Sequence, residues 1–119
     1  MPSGPVQSIT AWVTSTSQTV YPGNFRTPRD VMRIRVYVHE AFNSDGTDLL
    51  DIGFVGDTDA YANDVVVSAT GLATVTLGSG VGFDATPREI VLTYTASGSA
   101  ASAGKAYVVI EFVPIPSLP

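Results

Sequence analysis

The feature that most constrains the fold is the alternation of residue types in the segment 105–113, KAYVVIEFV. Every second position falls on one side of an extended chain, and that side is apolar: Ala106, Val108, Ile110 and Phe112. A period of two with β-branched and aromatic residues is typical of a β-strand with one face in a core. The other face carries Tyr107, Val109 and Val113, which is too apolar for water alone. We therefore expect a central strand whose second face meets another core layer or a subunit interface.

Shorter segments with strand-like patterns occur along the rest of the chain. They are residues 6–14, 31–38, 50–54, 64–68, 72–77 and 88–95. The run DTDAYAN at 57–63 is poor in β-branched residues, so it is predicted to form one helical turn capped by Asp57. About seven to eight short strands without a long helical pattern predict an all-β fold. The expected architecture is an antiparallel, jelly-roll-like β-sandwich.

Turn-forming residues suggest how these strands connect. Asp45-Gly46 is a typical hairpin turn. The segment 96–104 consists only of Ser, Ala and Gly, which favours a mobile loop. Strands 88–95 and 105–113 are therefore predicted to form one hairpin with a long tip. The expected organisation is an N-terminal arm with one strand at 1–30, a sandwich core at 31–113, and an extended Pro-rich tail at 114–119.

Composition narrows the function classes. Charged residues make up 14% of the chain, below the usual quarter, which suggests that its surface is covered either by Ser, Thr and Gly or by neighbouring subunits. The net charge of −5 argues against nucleic acid as a main partner, since the four arginines between Arg26 and Arg35 are the only basic cluster in the sequence. No cysteine is present, no apolar run approaches the length of a membrane span, and residues 1–5 lack signal-peptide features. The expectation is a protein made in the cytoplasm without a membrane partner.

No pattern in the sequence indicates catalysis or a cofactor. The single histidine, His39, has no second histidine or cysteine with which to share a metal, and no serine lies in a nucleophile-elbow pattern. The glycine-rich run at 78–82 lacks the Lys-Ser/Thr ending of a phosphate loop. Six aspartates between Asp45 and Asp64 could offer oxygens to calcium, but their spacing does not fit an EF-hand and several suit turns or caps. Neither a catalytic nor a metal-binding residue is assigned.

Six residues are candidates for protein–protein interfaces. Trp12 is either a rim residue under a loop or an interface anchor. Arg33 and Arg35 share the outer face of their strand, where they either pair with carboxylates such as Glu89 or Glu111, or form an inter-subunit salt bridge. The complete candidate set is Trp12, Tyr21, Phe25, Arg33, Arg35 and Tyr107.

The run IRVYVHEAFNSDGTDLLDIGF at 34–54, followed by DTDAY at 57–61, resembles small β-rich virion proteins of tailed bacteriophages. The small-residue tip at 98–106 and the VVIEF strand that follows are also similar to them. The resemblance covers residues 31–113 and includes no catalytic motif. It implies a non-enzymatic protein of the decoration, cement or head-fibre type, often trimeric, on the outer surface of the capsid. The implied partners are the major capsid protein and other copies of the chain.

The sequence leaves two main function classes open, with an enzyme that acts on glycans as a third. The first is a structural protein that decorates or cements a capsid, using apolar and aromatic anchors with polar rims. The alternative is a receptor- or carbohydrate-binding module at the tip of a phage fibre or tail, with calcium at the aspartate-rich loops.

Overall fold

The computed structural model describes residues 6–115 of the chain, and within them it contains ten β-strands and no helix. The strands are β1 (Gln7–Thr14), β2 (Thr19–Val20), β3 (Asn24–Phe25), β4 (Arg29–Glu40), β5 (Asp48–Phe54), β6 (Asp57–Val66), β7 (Gly71–Leu72), β8 (Gly82–Asp84), β9 (Arg88–Ala96) and β10 (Lys105–Pro114). The described part of the chain accordingly has no helix that could span a membrane.

The strands form two antiparallel sheets, which we call sheet A and sheet B. In sheet A, β10 lies between β1 and β4, and the short strands β7 and β8 pair with the far side of β4. In sheet B, β5 lies between β6 and β9, and β2 and β3 pair with the other side of β9. This confirms the all-β antiparallel sandwich. The strand count is ten rather than seven or eight, since β2, β3, β7 and β8 are two or three residues long.

The predicted central strand, β10, is central in the structure. It pairs with β1 on one side over residues 105–112, and with β4 on the other side over residues 105–114. Ala106, Val108 and Ile110 are at most 1% exposed and face sheet B, as the alternation predicts. Opposite them lie Leu50, Ile52 and Leu92 of sheet B, in the same buried cluster, each of them 1% exposed or less. Burial of such side chains, about 1.5–3 kcal/mol each, holds the two layers together.

Successive strands usually lie in different sheets, and this overturns both predicted hairpins. The strand pair 88–95 and 105–113 is not a hairpin, because β9 belongs to sheet B and β10 to sheet A. Asp45-Gly46 likewise connects β4 of sheet A to β5 of sheet B. Packed sheets stand about 10 Å apart, and the connecting segments are long enough to cross. The turn residues predict that the chain bends, but they do not predict which strand the next segment pairs with.

Among the described strands, β5 and β6 are the only consecutive pair that hydrogen-bond to each other, through a turn at Val55-Gly56. The predicted helical turn at 57–63 is wrong, because this segment is part of β6. Pairing with β5 outweighs the weak local preference, and it buries Tyr61 completely. Of the predicted strand at 72–77, only Leu72 belongs to β7, and Leu77 makes a single bridge to Ala62.

Residues 6–30 contribute strands to both sheets. β1 is a full strand of sheet A, and β2 and β3 belong to sheet B. The N-terminal five residues and the last four residues of the predicted tail lie outside the described residues.

The loop predicted to be mobile, 96–104, is held in place by two side chains from the β4–β5 connection. The Asn43 carboxamide oxygen accepts hydrogen bonds from the backbone N–H groups of Ser102 and Ala103, at 2.8 and 2.9 Å. Asp45 accepts bonds from the backbone N–H and the hydroxyl of Ser99. These bonds hold the two crossing connections together at one end of the sandwich.

Candidate interaction surface

An exposed row of apolar side chains crosses the outer face of sheet A. The strand register places Trp12 of β1 opposite Tyr107 of β10, Tyr107 opposite Tyr37 of β4, and Tyr37 opposite Leu72 of β7. Directly opposed residues project to the same face of a sheet. Trp12 is 45% exposed, Tyr37 38% and Leu72 65%. We call these four residues the apolar row.

Trp12 is held in position by its neighbours on this face. Its ring centroid lies 4.9 Å from that of Tyr107 and 6.2 Å from that of His39. The Lys105 ammonium lies 4.9 Å from the Trp12 ring centroid, in the range of a cation–π contact. These contacts hold the large Trp12 side chain in place on an open face of the sheet. A side chain that is already ordered loses less conformational entropy when a partner binds to it. The contacts show a braced, exposed residue rather than one beneath a loop.

A charged cluster lies two to four residues along the strands from the apolar row. Glu111 of β10 accepts hydrogen bonds from Arg33 at 2.5 Å and from Arg35 at 3.1 Å, both arginines being on β4. The predicted pairing with Glu111 is therefore confirmed. The hydrogen bond from Arg33 is the main reason why the pKa of Glu111 is lowered, and the same bond raises the pKa of Arg33. Arg33 remains 63% exposed, so it can still meet a partner.

Between the row and the charged cluster, Val109 is only 9% exposed although it lies on the outer face. It sits opposite Thr10 and Arg35 in the register. Three of the six Lys and Arg residues of the chain, Arg33, Arg35 and Lys105, are on this face. The face therefore combines exposed rings with cations on a molecule whose net charge is −5.

The other interface candidates lie elsewhere. Tyr21 is 58% exposed and lies in the connection between β2 and β3 of sheet B. Phe25 is 4% exposed, and its ring contacts those of Phe112 at 4.8 Å and Tyr61 at 6.4 Å. Phe25 is therefore a core residue of this chain with little exposed surface, which corrects its selection as an interface residue. The strand that contains Phe25 is only two residues long, so no alternation in the sequence could indicate that this side chain is buried.

Sequence reasoning missed two members of the apolar row. Tyr37 alternates in step with Arg33 and Arg35, but this pattern alone does not single it out, because the sequence does not show its neighbours across the sheet. Leu72 had no visible signal, since its strand is two residues long. Only the register of four strands brings these side chains together with Trp12 and Tyr107.

The aspartates between Asp45 and Asp64 serve separate structural roles. Asp48 is 2% exposed and accepts hydrogen bonds from the Tyr94 hydroxyl and the Ser44 N–H. Asp51 accepts a bond from the Asp64 N–H at 2.8 Å. Within residues 6–115, no three acidic or histidine side chains gather as a metal site would require. The geometry gives no support to the calcium element of the fibre-tip alternative.

Two shallow clefts occur on the described surface. One, of about 330 Å³, is lined by Phe25, Arg26, Arg88 and their neighbours, and the other, of about 340 Å³, by Val6, Met32, Arg33 and Glu111. Neither cleft contains His39 or a serine. His39 is exposed beside Trp12, at the end of β4.

Comparison with known proteins gives a fold but no family. No protein-family model and no curated protein matches the chain. A chain in the solved structure "Cyanophage Pam1 capsid asymmetric unit" is similar, with a TM-score of 0.71 and 16% sequence identity. The match covers 93% of this chain and 85% of that one, so the two are of similar length. The two chains share a fold.

A second solved structure, of the Drosophila NLP core, described as giving insight into pentamer formation and histone binding, is 11% identical. It covers 88% of this chain and 96% of that chain, with a TM-score of 0.38. That likeness is too weak to indicate a common fold.

Proposed function

We propose that this chain is a structural protein of a bacteriophage virion, which decorates or cements the capsid through protein–protein contacts. The observation that carries the proposal is the shared fold with a chain of the Pam1 capsid asymmetric unit, over 93% of this chain and at similar length. The likeness of residues 31–113 to small phage virion proteins supports the same role. In this proposal the major capsid protein is the partner, and the outer surface of the shell is the location.

The apolar row is the contact surface in this proposal. Exposed Trp and Tyr side chains are the residue types most enriched among energetic anchors of interfaces. The row lies on a rigid sheet and is bordered by Arg33, Arg35 and Lys105, which suits a partner surface with an apolar centre and an acidic rim. A side chain such as Trp12, already braced by Tyr107 and Lys105, loses little freedom on binding.

The oligomer in this proposal is a homotrimer. A cyclic trimer needs two different surface patches on each subunit. Two exposed aromatic residues outside the apolar row, Tyr21 beside sheet B and Phe83 on β8 of sheet A, provide two such patches. Light scattering of the purified chain tests this element on its own, with a mass that is a multiple of three chains expected.

The first test asks whether the chain is a virion component. Mass spectrometry of purified virions from a phage that encodes the chain should detect it at a stoichiometry comparable to the capsid subunits. Its absence from mature particles would reject a structural role in the virion.

The second test asks whether the apolar row makes the contact. Shells that lack the chain are mixed with the purified protein, and co-sedimentation gives the affinity. Trp12→Ser is expected to weaken binding by about thirtyfold, the effect of a 2 kcal/mol anchor. Val55→Ser is the matched control, because Val55 is 55% exposed at the β5–β6 turn, away from sheet A. Equal binding by both variants would show that the row is not the contact surface.

A further inference from the structure

The long edge of sheet A at β1 has no neighbour among the described residues. The opposite side of the sheet ends in β7 and β8, of two and three residues. In sheet B one edge consists of β2 and β3, two residues each. The other edge, β6, is covered in its middle by the segment 77–80, through hydrogen bonds to the carbonyls of Tyr61 and Ala60. Only β1, with eight residues, leaves a long edge uncovered within residues 6–115.

The backbone groups on this edge can be identified from the register. Ser15 N–H donates to the carbonyl of Gly104 in line with the β1–β10 pairing, so Ser15 points towards β10. Residues of an antiparallel strand alternate between neighbours. The N–H and C=O groups that point away from β10 therefore belong to Ser8, Thr10, Trp12 and Thr14. No backbone hydrogen bond of residues 6–115 outside the strand ladders uses them.

β1 also lacks the devices that keep exposed edges from pairing. Edge strands are usually blunted by charged residues, prolines or bulges. The sequence of β1, QSITAWVT, has no charged residue and no proline, and its pairing with β10 has no register shift. On a chain of net charge −5, this neutral edge is a place where two copies can approach without like charges meeting.

We propose that β1 pairs antiparallel with β1 of a second copy, about a twofold axis through Ala11. This register places Thr10 opposite Trp12 of the partner subunit and Ser8 opposite Thr14 of the partner subunit. All four outward residues of each copy then form hydrogen-bonded pairs, and a shift of two residues leaves some of them unpaired. A strand paired antiparallel with its own copy is self-complementary, so the contact closes at two chains.

The side chains on the inner face support the same register. Ile9 and Ala11 pack against the core but stay half-buried at this edge, whereas Val13 is fully buried. In the proposed pair Ile9 meets Val13 of the partner subunit, and Ala11 meets Ala11 of the partner subunit. The apolar layer between the sheets then continues from one copy into the next, and the remaining exposure of Ile9 and Ala11 is removed.

This contact goes beyond the proposed function and is separate from the trimer contact. A twofold pair at β1 gives oligomers with an even number of chains, either dimers or, together with a threefold contact, hexamers. A second copy is favoured over an unrelated strand because the edge is neutral and matches itself in a register that uses every free group.

Amide hydrogen exchange on the unmodified chain tests the pair directly. Thr10 and Trp12 have no backbone acceptor within residues 6–115, so their amides should exchange quickly in a monomer. We expect them to exchange at least about tenfold more slowly when the protein concentration is raised through the dissociation constant. Light scattering should give two or six chains at the same concentrations. Fast exchange at all concentrations, or a mass of one or three chains, would overturn the pair.

A matched pair of substitutions gives an independent test. Thr10→Pro removes an outward N–H that has no partner in the described fold, and it should weaken the dimer at least about tenfold. Thr10→Val keeps the N–H and the β-branched shape, and it should leave the dimer unchanged. Equal association of the two variants would overturn the proposal. If Thr10→Pro does not give a cooperative melt, the exchange measurement on the unmodified chain decides.

These outcomes are distinct from those of the proposed function. A trimer that binds shells would remove the β1 pair and leave the capsid role intact. An even-numbered oligomer that is absent from virions would support the β1 pair and reject the capsid role.

Discussion

The hydroxyl of Tyr94 donates a hydrogen bond of 2.5 Å to the carboxylate of Asp48, in the interior of the sandwich. Tyr94 lies on β9 and Asp48 at the start of β5, and the two side chains are 3% and 2% exposed. The same carboxylate oxygen accepts the N–H of Ser44 in the β4–β5 connection. This one carboxylate therefore ties sheet B to the segment that crosses between the sheets.

Tyr94→Phe should lower the free energy of unfolding by about 1.5–3 kcal/mol, because it leaves a buried carboxylate without its hydroxyl donor. Urea denaturation followed by fluorescence or circular dichroism measures the change. Tyr37→Phe serves as the control, since Tyr37 is exposed on the outer face of sheet A, and it should change stability little. Equal stability of the two variants would contradict the role given to Asp48.

The same pair predicts a stability change at alkaline pH. Burial, with the hydrogen bond to Asp48 second, raises the pKa of Tyr94 from 10.0 to about 12. Above pH 10 an unfolded tyrosine loses its proton while the folded one keeps it, so the unfolded state binds fewer protons. This contribution to stability is complete below pH 10 and is lost as the pH rises through about 12. The free energy of unfolding, measured by denaturation between pH 8 and pH 12, should therefore fall less steeply with pH for Tyr94→Phe than for the unmodified chain.

Gly53 occupies a position where any side chain meets backbone. A Cβ atom there would lie 2.3 Å from the carbonyl oxygen of Asp57, across the β5–β6 hairpin. Gly53→Ala should lower the melting temperature and cost about 1–3 kcal/mol, because the strands must separate locally. At Gly23 a Cβ would meet nothing within 4 Å, so Gly23→Ala should change stability by no more than about 0.5 kcal/mol. A similar loss in both variants would mean that β5 and β6 are not paired this closely.

Asn43 is one of the two side chains that hold the loop before β10 in place. Asn43→Ala removes the acceptor for two backbone N–H groups, and it should cost about 1 kcal/mol. The amides of Ser102 and Ala103 should exchange faster with solvent, whereas those in β10 should keep their protection. Asn63→Ala, at an exposed position in β6, is the control and should leave the loop unchanged. Unaltered exchange at Ser102 in Asn43→Ala would show that the loop is held by other contacts.

Arg33 should control the titration of Glu111. Its hydrogen bond is the largest cause of the lowered pKa of that carboxyl. Carbon-detected NMR titration should find the pKa of Glu111 below its usual value, and Arg33→Gln should raise it towards that value. The stabilisation from this pair is present above the pKa of unfolded Glu and is lost as the pH falls through the lowered folded value. A titration of Glu111 that does not respond to Arg33→Gln would contradict the assignment of the pair.

The sequence predicts the strands of this fold better than it predicts their partners. β10 and β4 follow from alternation within the segment, which is a local property. The assignment of β9 and β10 to different sheets depends on contacts between residues far apart in the chain, and no turn residue encodes it. The same limit applies to the apolar row: Trp12 and Tyr107 were selected as single residues, whereas Tyr37 and Leu72 join them only through the register. Phe25 was assigned to the surface because its burial by Phe112 and Tyr61 is entirely a tertiary effect.

The position of β10 has a consequence for how the protein is made. β10 is the last of the ten strands in chain order, yet it lies between β1 and β4 at the centre of sheet A. During synthesis, β1 and β4 have no partner in their own sheet along most of their length until residues 105–114 leave the ribosome. Sheet B, whose strands all precede β10, can assemble earlier. Until β10 is added, sheet A is therefore incomplete, and nascent copies can mispair with one another through the unpaired edges of β1 and β4.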